Sequence, residues 1–203
     1  MGYKESTSGS IFDICILKEK MRKEMHLVKQ SISNEDMVKQ SSSLCNKVEK
    51  TDFWKKSKTV LLYSNLSKEI SVNQLIKSGL KSNKIVTLPR YNSKTGEYAA
   101  SAISSIKDLS IGIHNIMEPL ASCPEIGMNQ LDLVIVPGVA FDHNGGRLGR
   151  GGGYYDQFLK GMNATFCGVC FREQVTDKTP QELHDIKMNI VMSPDGKVDF
   201  DLI

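Results

Sequence analysis

The sequence lacks a long hydrophobic run. Its most apolar stretch, Leu131 to Val136, contains Asp132 and is closed by Pro137, whereas a membrane-spanning helix needs about 20 consecutive apolar residues. The first residues lack the basic-then-apolar layout of a secretory signal, and the acidic residues among them do not fit a transit peptide. We therefore expect a cytoplasmic protein with no membrane partner.

An excess of charge of one sign is also missing. The 26 basic and 23 acidic residues give a formal net charge of +3, whereas a nucleic-acid-binding protein usually carries a basic stripe. So small an excess is compatible with a local pocket for an anionic ligand, and we expect no nucleic-acid partner. A phosphate-sensing or RNA-associated module is the non-enzymatic alternative, and retention on immobilised RNA at moderate salt would support it.

Cysteines are few and scattered. Their odd number, 5, and their wide spacing indicate no disulfide framework. Cys167 and Cys170 form a CxxC pattern, but they fall in an expected strand, where residues three apart point to opposite faces. Since a second CxxC and a histidine pair are both missing, we interpret these two as small buried hydrophobic residues rather than a redox or zinc site.

The hydrophobic pattern along the chain predicts one α/β domain. Apolar residues spaced three and four apart from Ile14 to Val28, including Leu17, predict a helix, and Ser33 with Asp36 predicts a capping box that opens a second helix. The predicted strands span 59–63, 85–88 (stopped by Pro89), 98–103, 131–136, 164–171, 188–192 and 197–200, and further predicted helices begin at Ser71 and at Tyr154. This alternation favours a three-layer α/β/α domain with a mainly parallel sheet over residues 11–203, behind a disordered segment over 1–10.

Glycine is concentrated in one segment, where six of the nine residues from Gly145 to Gly153 are glycine. The segment follows the expected buried strand and leads toward a helix, and ligands bind at that end of the strands in open α/β sheets. Arg147 and Arg150 supply forked donors for phosphate oxygens, and Asp156 supplies an oxygen ligand for a hard cation. We expect a magnesium–nucleotide site, although the segment matches neither GxxxxGK[ST] nor GxGxxG. A flexible surface hairpin is the alternative.

The run from Asn144 to Asp156, NGGRLGRGGGYYD, resembles the signature of the 5-formyltetrahydrofolate cyclo-ligases, also called 5,10-methenyltetrahydrofolate synthetases. Other stretches resemble that family in order and spacing. They are Lys18–Arg22, Glu69–Ile70, Pro89–Tyr91 and Glu182–Asp185. The resemblance covers about residues 14–195 and implies an architecture similar to the sugar-phosphate isomerase and CoA-transferase group. An isomerase of that group, which would use the loop for a substrate phosphate without ATP, is the alternative among enzymes.

The resemblance implies an ATP-dependent ligase of one-carbon folate metabolism. In that reaction the γ-phosphoryl group of ATP moves to the formyl oxygen of 5-formyltetrahydrofolate, N10 attacks the activated carbon, and phosphate leaves to give 5,10-methenyltetrahydrofolate. The implied cofactor is Mg²⁺, the co-substrate is ATP and the other partner is a reduced folate. We expect a monomer.

The resemblance also implies roles for individual residues. Arg150 and Tyr154 are the implied catalytic residues, Asp156 and Asp185 the implied metal ligands, and Glu69 the acceptor for the N–H edge of the pterin. The implied ATP-binding residues are Lys18, Arg22, Arg147, Leu148, Gly149, Arg150, Gly151, Gly152, Gly153, Tyr154 and Tyr155. The implied folate-binding residues are Arg22, Glu69, Arg150, Gly151, Gly152, Gly153 and Tyr154.

Two positions carry a residue that differs from that of some family members, and a third has no assigned role. Asn189 stands where several family members have aspartate, so we do not count it as a ligand. Gly152 replaces a lysine of some members. His114 lies near where some members place an aromatic residue against the folate, and we assign it no role.

Overall fold

The chain folds around one eight-stranded sheet in a computed structural model that describes residues 8–93, 95–112 and 115–200. The helices are α1 (Ser8–Ser31), α2 (Asn34–Lys50), α3 (Asp52–Lys56), α4 (Asn73–Lys81) and α5 (Tyr154–Leu159). The strands are β1 (Thr59–Leu61), β2 (Ile85–Asn92), β3 (Glu97–Ile103), β4 (Leu109–Ile111), β5 (Met117–Pro119), β6 (Glu125–Ile126), β7 (Leu133–Pro137), β8 (Ala140–Asp142), β9 (Arg147–Leu148), β10 (Thr165–Val169), β11 (Val175–Thr176), β12 (Ile190–Ser193) and β13 (Gly196–Lys197).

The strand order of the large sheet is β13-β12-β10-β7-β1-β2-β3-β6. The five inner strands from β12 to β2 are parallel, whereas β13 at one edge and β3 and β6 at the other are antiparallel. The first four residues of β7 are buried, as expected of an apolar strand covered on both faces. The predicted mainly parallel α/β sheet is therefore confirmed, and its likeness to the isomerase and transferase group stays a prediction.

Apolar side chains cover both faces of this sheet. On one face α2 and α4 pack through residues such as Leu44 and Leu75, and on the other face α5 packs through Leu159. Cys167 lies in the first cluster and Cys170 in the second, and burial raises the pKa of both thiols. The interpretation of these cysteines as buried hydrophobic residues on opposite faces is confirmed.

The first two helices begin differently from each other. The hydroxyl of Ser33 accepts the N–H of Asp36 at 3.1 Å, so the predicted cap of α2 is confirmed. Residues 1–10 are predicted to be disordered. Residues 1–7 lie outside the described residues, and α1 begins at Ser8. The domain boundary at residue 11 stays a prediction.

No helix in the described ranges is long and apolar enough to cross a membrane.

The second strand runs further than the sequence predicts. Pro89 does not stop β2, which continues to Asn92 alongside β3. The reason is that β1 pairs with β2 only as far as Thr87. Beyond that residue no strand on that side of β2 requires a backbone N–H donor, so a proline is tolerated there. Tyr91 carries its N–H two residues further along, and the carboxylate of Glu118 accepts that N–H at 3.2 Å.

The predicted glycine-rich loop is in part a hairpin, because β8 and β9 pair between the buried strand β7 and the helix α5. The buried carboxylate of Asp142 fixes its turn by accepting the N–H groups of Asn144 and Gly146, each at 2.8 Å. Gly145 has a φ of +74°, and a Cβ there would collide with the carbonyl oxygen of Met188. Gly145 is thus required by the fold, and Gly151 and Gly153 also have a positive φ, whereas a Cβ at Gly152 would meet no atom within 4 Å.

Candidate active site

Two pockets of contrasting chemistry adjoin at the glycine-rich segment. The first, called here the aromatic pocket, has a volume of about 230 Å³ and is lined by Tyr63, Glu69, Tyr98, Glu118, Tyr154 and Tyr155 among others. The second, called the polar pocket, has a volume of about 210 Å³ and is lined by Lys18, Arg22, Gly151, Glu182, His184 and Asp185 among others. Both pockets are lined by Arg147, Gly149, Gly153 and Asp156, which we call the shared wall.

Every residue of the predicted site lines one of these pockets. Those in the aromatic pocket alone are Glu69, Arg150, Gly152, Tyr154 and Tyr155. Those in the polar pocket alone are Lys18, Arg22, Leu148, Gly151 and Asp185. The structure thus divides the predicted site residues between two compartments, and their roles stay predictions. Leu148 is 1% exposed and packs in a small apolar cluster, so only its backbone is available to a ligand.

The helix α1 contributes two cations to the polar pocket. Nζ of Lys18 lies 2.6 Å from a carboxylate oxygen of Glu182 and 2.6 Å from one of Asp185. Burial disfavours the charged amine, but these two carboxylates outweigh burial and raise the pKa of Lys18. Nε of Arg22 donates to the carbonyl oxygen of Gly149 at 2.9 Å. Both side chains therefore attach α1 to the segments that line the pocket.

The face that α1 turns inward differs from the predicted apolar stripe. Leu17, which the spacing places in that stripe, is 52% exposed, whereas Lys18 is 7% exposed. The stripe holds further along the helix, where Met21 and Met25 pack against the cluster that contains Leu148. A buried lysine replaces the leucine because two carboxylates on the other side of the pocket satisfy its charge.

An ion pair forms the core of the shared wall. A terminal guanidinium nitrogen of Arg147 lies 2.9 Å from Asp156, and the other oxygen of Asp156 accepts the N–H of Ile186 at 3.2 Å. The guanidinium also lies over the ring of Tyr155, 5.6 Å from its centre. The Arg147 side chain is only 3% exposed, so this pair links β9, α5 and the segment before β12 into one rigid wall.

A second ion pair joins two predicted ligand contacts in the aromatic pocket. Arg150 lies 3.2 Å from Glu69, and the arginine side chain is 61% exposed whereas that of the glutamate is 12% exposed. The other oxygen of Glu69 accepts the N–H of Leu66 at 2.9 Å. Arg150 thus stands at the open side of the aromatic pocket, with most of its side chain exposed.

The polar pocket offers oxygen ligands of the kind that Mg²⁺ prefers. Among the described residues, the ligand atoms of Glu182, His184 and Asp185 lie within 4.8 Å of one another. Asp156 is not part of that group, although it lines the same pocket. The two carboxylates predicted to bind metal therefore suit a hard cation, but each is paired with a side-chain cation, Asp185 with Lys18 and Asp156 with Arg147.

Aromatic rings stack along one side of the aromatic pocket. The ring of Tyr154 lies 4.1 Å from that of Tyr98 and 5.4 Å from that of Phe158. Burial raises the pKa of the Tyr154 hydroxyl, so the group remains a proton donor, and within the described ranges it has no hydrogen-bond partner. A buried hydroxyl without a partner is costly, which suggests that a ligand supplies one.

Sequence reasoning missed some lining residues and was right to omit another. Glu118 and Tyr98 carry no recognisable motif, so nothing in the sequence marked them. Glu182 lies in a stretch that resembles the family, which was a usable signal. Asn189 accepts the N–H of Phe166 at 2.7 Å, a structural role that agrees with its omission. His114 lies outside the described residues.

Comparison with known proteins identifies the family. The model of the 5-formyltetrahydrofolate cyclo-ligase family matches residues 16–194. The chain belongs to the 5-formyltetrahydrofolate cyclo-ligase family. This confirms the predicted family and the predicted enzyme class, a ligase.

Individual relatives agree with this cyclo-ligase assignment over most of their lengths. The chain is 28% identical to the mouse 5-formyltetrahydrofolate cyclo-ligase over 191 residues, which is 88% of this chain and 94% of the mouse protein. It is 31% identical to a probable 5-formyltetrahydrofolate cyclo-ligase of Schizosaccharomyces pombe over 172 residues, 77% of this chain and 84% of that protein. The NMR structure of Aquifex aeolicus 5,10-methenyltetrahydrofolate synthetase is 29% identical, with a TM-score of 0.83 over 92% of this chain and 94% of that one.

Proposed function

We propose that the chain catalyses the ATP-dependent cyclisation of 5-formyltetrahydrofolate to 5,10-methenyltetrahydrofolate, with release of ADP and phosphate. The observation that carries this proposal is the pair of adjoining pockets. One is aromatic and suits the flat pterin ring, the other is charged and suits a triphosphate, and both are bounded by the shared wall.

The chemistry of the substrate explains why two compartments are needed. The N5 formyl group is an amide, which is a poor electrophile and has no good leaving group. Transfer of a phosphoryl group to its oxygen converts that oxygen into part of a phosphate leaving group. N10 then attacks the formyl carbon, the C–O bond breaks, and the oxygen departs with the phosphate. The γ-phosphoryl group and the formyl oxygen must therefore meet where the two pockets adjoin.

The residues of the polar pocket provide for the triphosphate. Lys18 and Arg22 share one face of α1 and both line that pocket, and exposed backbone amides near Gly151 add neutral donors. Phosphoryl transfer is accelerated mainly by positioning and charge neutralisation. These cations stabilise the charge on the nucleotide in this proposal, and Arg22 is proposed to contact the folate as well.

Arg150 and Tyr154 are the proposed catalytic residues. Arg150 lines the aromatic pocket and its side chain is largely exposed, so it is free to turn toward a phosphoryl group that arrives at the formyl oxygen. The protonated hydroxyl of Tyr154 donates a hydrogen bond to the same end of the folate. Glu69 accepts the N–H edge of the pterin, a geometry in which a carboxylate matches two donors.

Ligand binding requires an exchange of charge partners. Lys18 pairs with Asp185, Arg147 with Asp156 and Arg150 with Glu69, so three of the proposed phosphate contacts are engaged by a proposed metal or pterin contact. Asp156 and Asp185 would hold Mg²⁺, which when bound neutralises the phosphate oxygens. In this proposal the phosphates replace the carboxylates as partners of the cations, and the carboxylates become available to the metal and the pterin.

The proposal requires only small-molecule partners. A monomer in the cytoplasm, without a nucleic-acid partner, is sufficient for it, and the near-balanced charge of the chain supports that expectation.

Turnover tests the proposal directly. Purified protein with Mg²⁺, ATP and 5-formyltetrahydrofolate should produce the near-ultraviolet absorption band of the methenyl product, together with one phosphate for each product formed. Arg150→Ala should abolish turnover and leave the melting temperature unchanged. Arg172→Ala is the matched control, because Arg172 pairs with Asp195 and is 52% exposed, outside both pockets. A wild-type protein that shows no ATP-dependent band, or an active Arg150→Ala variant, would contradict the proposal.

A further inference from the structure

The aromatic pocket is lined by a further carboxylate, Glu118, besides Glu69 and the Asp156 of the shared wall. Glu118, in the short strand β5, is 8% exposed and lines the pocket. One of its oxygens accepts the N–H of Tyr91, at the open edge of β2. The backbone of β2 thus holds the carboxylate in place. The Glu118 side chain lies beside an edge of β2 at which no strand of the described chain pairs with it.

The two carboxylates differ in their partners. Glu69 pairs with Arg150, whereas Glu118 makes no ion pair with any residue in the described ranges. A buried charge is costly unless hydrogen-bond donors surround it, and an ionised carboxylate has about four acceptor sites, of which the N–H of Tyr91 occupies one. Glu118 therefore has acceptor capacity to spare.

Two tyrosines of the pocket interact electrostatically with the Glu118 carboxylate. Burial raises the pKa of Tyr98, and the nearby Glu118 carboxylate raises it further. The same carboxylate adds to the burial and the neighbouring tyrosines that raise the pKa of Tyr154. Glu118 therefore lines the same pocket as Tyr98 and Tyr154, where the buried Tyr154 hydroxyl has no partner among the described residues.

A glycine fixes the position of this carboxylate. A Cβ at Gly112 would lie 2.5 Å from the carboxyl carbon of Glu118 and 2.9 Å from one of its oxygens. The missing side chain at that position leaves room for the carboxyl group. An alanine there would collide with Cγ and the carboxyl group of Glu118 and displace the carboxylate.

We infer that Glu118 is a second folate-binding carboxylate, which accepts an N–H donor of the reduced pterin that Glu69 does not take. This inference rests on the proposed function. A reduced pterin carries donors at N3, at the 2-amino group and at N8, on more than one edge of the ring, so a single carboxylate leaves donors unpaired. Glu118 satisfies one of them and selects reduced pterins over ring systems without donors at that edge.

The variant Glu118→Gln tests this inference, because its carbonyl oxygen keeps the bond to Tyr91 while its NH₂ group faces the pterin donor. We expect the KM for 5-formyltetrahydrofolate to rise about 10- to 100-fold, the range for loss of a charge-assisted hydrogen bond. The KM for ATP should change less than about twofold, since the polar pocket is untouched. Gly112→Ala should raise the folate KM in the same direction by displacing the carboxylate.

Two measurements separate this role from a structural one. Glu125→Gln is the matched control, because Glu125 pairs with Arg90 at 2.9 Å and is 52% exposed, and it should leave both KM values unchanged. An unchanged folate KM in Glu118→Gln would overturn the inference. The proposed function would still stand in that case, because the wild-type protein turns the substrate over. A melting temperature lowered by more than about 4 °C in Glu118→Gln would also overturn the inference, since the role would then be structural. A wild-type protein without turnover would contradict the proposed function itself.

Discussion

At the scale of single residues, one buried carboxylate beside the site has a hydrogen-bond donor at each of its acceptor positions. It belongs to Asp142, whose two oxygens accept two N–H groups of the hairpin turn and both the N–H and the hydroxyl of Thr179. Burial alone would raise the pKa of Asp142, but these hydrogen bonds outweigh it and lower the pKa. The turn that begins the glycine-rich segment is therefore fixed by one charged residue.

Replacement of that residue should weaken the fold. In Asp142→Asn an NH₂ group meets the donors of Thr179, so the free energy of unfolding should fall by about 1–3 kcal/mol, measured by urea denaturation at pH 7. Asp52→Asn is the control, because the Asp52 side chain is 80% exposed, and it should change stability by less than about 0.5 kcal/mol.

The same variant should reveal the charge of Asp142 through pH. A carboxylate with a lowered pKa contributes stability above its unfolded-state pKa and loses that contribution as pH falls through its folded-state value. The difference between wild type and Asp142→Asn should therefore be constant near neutrality and shrink below pH 3.8, the ordinary pKa of aspartate. A difference that stays constant to the lowest pH at which the protein folds would show that the charge is not responsible.

At the scale of elements, the glycine-rich segment divides into a part that the fold requires and a part that it does not. A Cβ at Gly145 would collide with backbone, whereas a Cβ at Gly152 would have no atom within 4 Å. Sequence reasoning treated all six glycines as one ligand loop. It could not separate them, because the collision at Gly145 comes from Met188, which is distant in sequence.

The division predicts opposite effects for two alanine variants. Gly145→Ala should lower the free energy of unfolding by at least about 1–3 kcal/mol. An alanine there would have an unfavourable positive φ and would also clash with the backbone. Gly152→Ala should leave it within about 0.5 kcal/mol of wild type. Thermal melts of both variants check this, and equal stabilities would contradict the assignment of Gly145 to the fold.

The helix α1 is attached to the polar pocket by a buried ion pair rather than by apolar contacts alone. Lys18→Ala leaves the carboxylates of Glu182 and Asp185 without their cation, so stability should fall by about 3–5 kcal/mol. Lys23→Ala on the same helix is the control, because Lys23 is 75% exposed and pairs only with Glu19. It should cost at most about 1 kcal/mol.

Magnesium should distinguish these two lysine variants further. With Lys18 removed, the carboxylates are free to bind a divalent cation, and a ligand that binds only the folded state stabilises it. Millimolar Mg²⁺ should therefore raise the melting temperature of Lys18→Ala more than that of wild type or Lys23→Ala. Equal shifts in all three proteins would indicate that the cation does not use these carboxylates.

At the scale of the whole molecule, the order of strands and helices was readable from the sequence because it depends on local periodicity. The apolar run of β7 predicted a central parallel strand, and the cap at Ser33 predicted the start of α2. The antiparallel edge formed by β3 and β6 was not readable, since nothing local distinguishes the direction of β3 from that of β1. The passage of β2 through Pro89 also depends on where its neighbour ends.

The geometry of the candidate site was not readable from the sequence. The resemblance over residues 144–156 picked out glycines, arginines and a carboxylate, of which Arg147 and the residues from Gly149 to Asp156 that we proposed as ligand contacts line a pocket. That there are two pockets, and that the predicted cations and carboxylates pair with one another, follows only from the folded arrangement. Glu118 reaches the aromatic pocket through a short strand with no periodic signal.

The central claim is that the shared wall brings the γ-phosphoryl group of ATP to the formyl oxygen of the folate. Turnover of 5-formyltetrahydrofolate that carries ¹⁸O in its formyl group, followed by mass spectrometry of the released phosphate, tests this claim most directly. The account predicts that the label appears in inorganic phosphate, one atom for each methenyl product. Methenyl product formed with unlabelled phosphate and labelled water would contradict it.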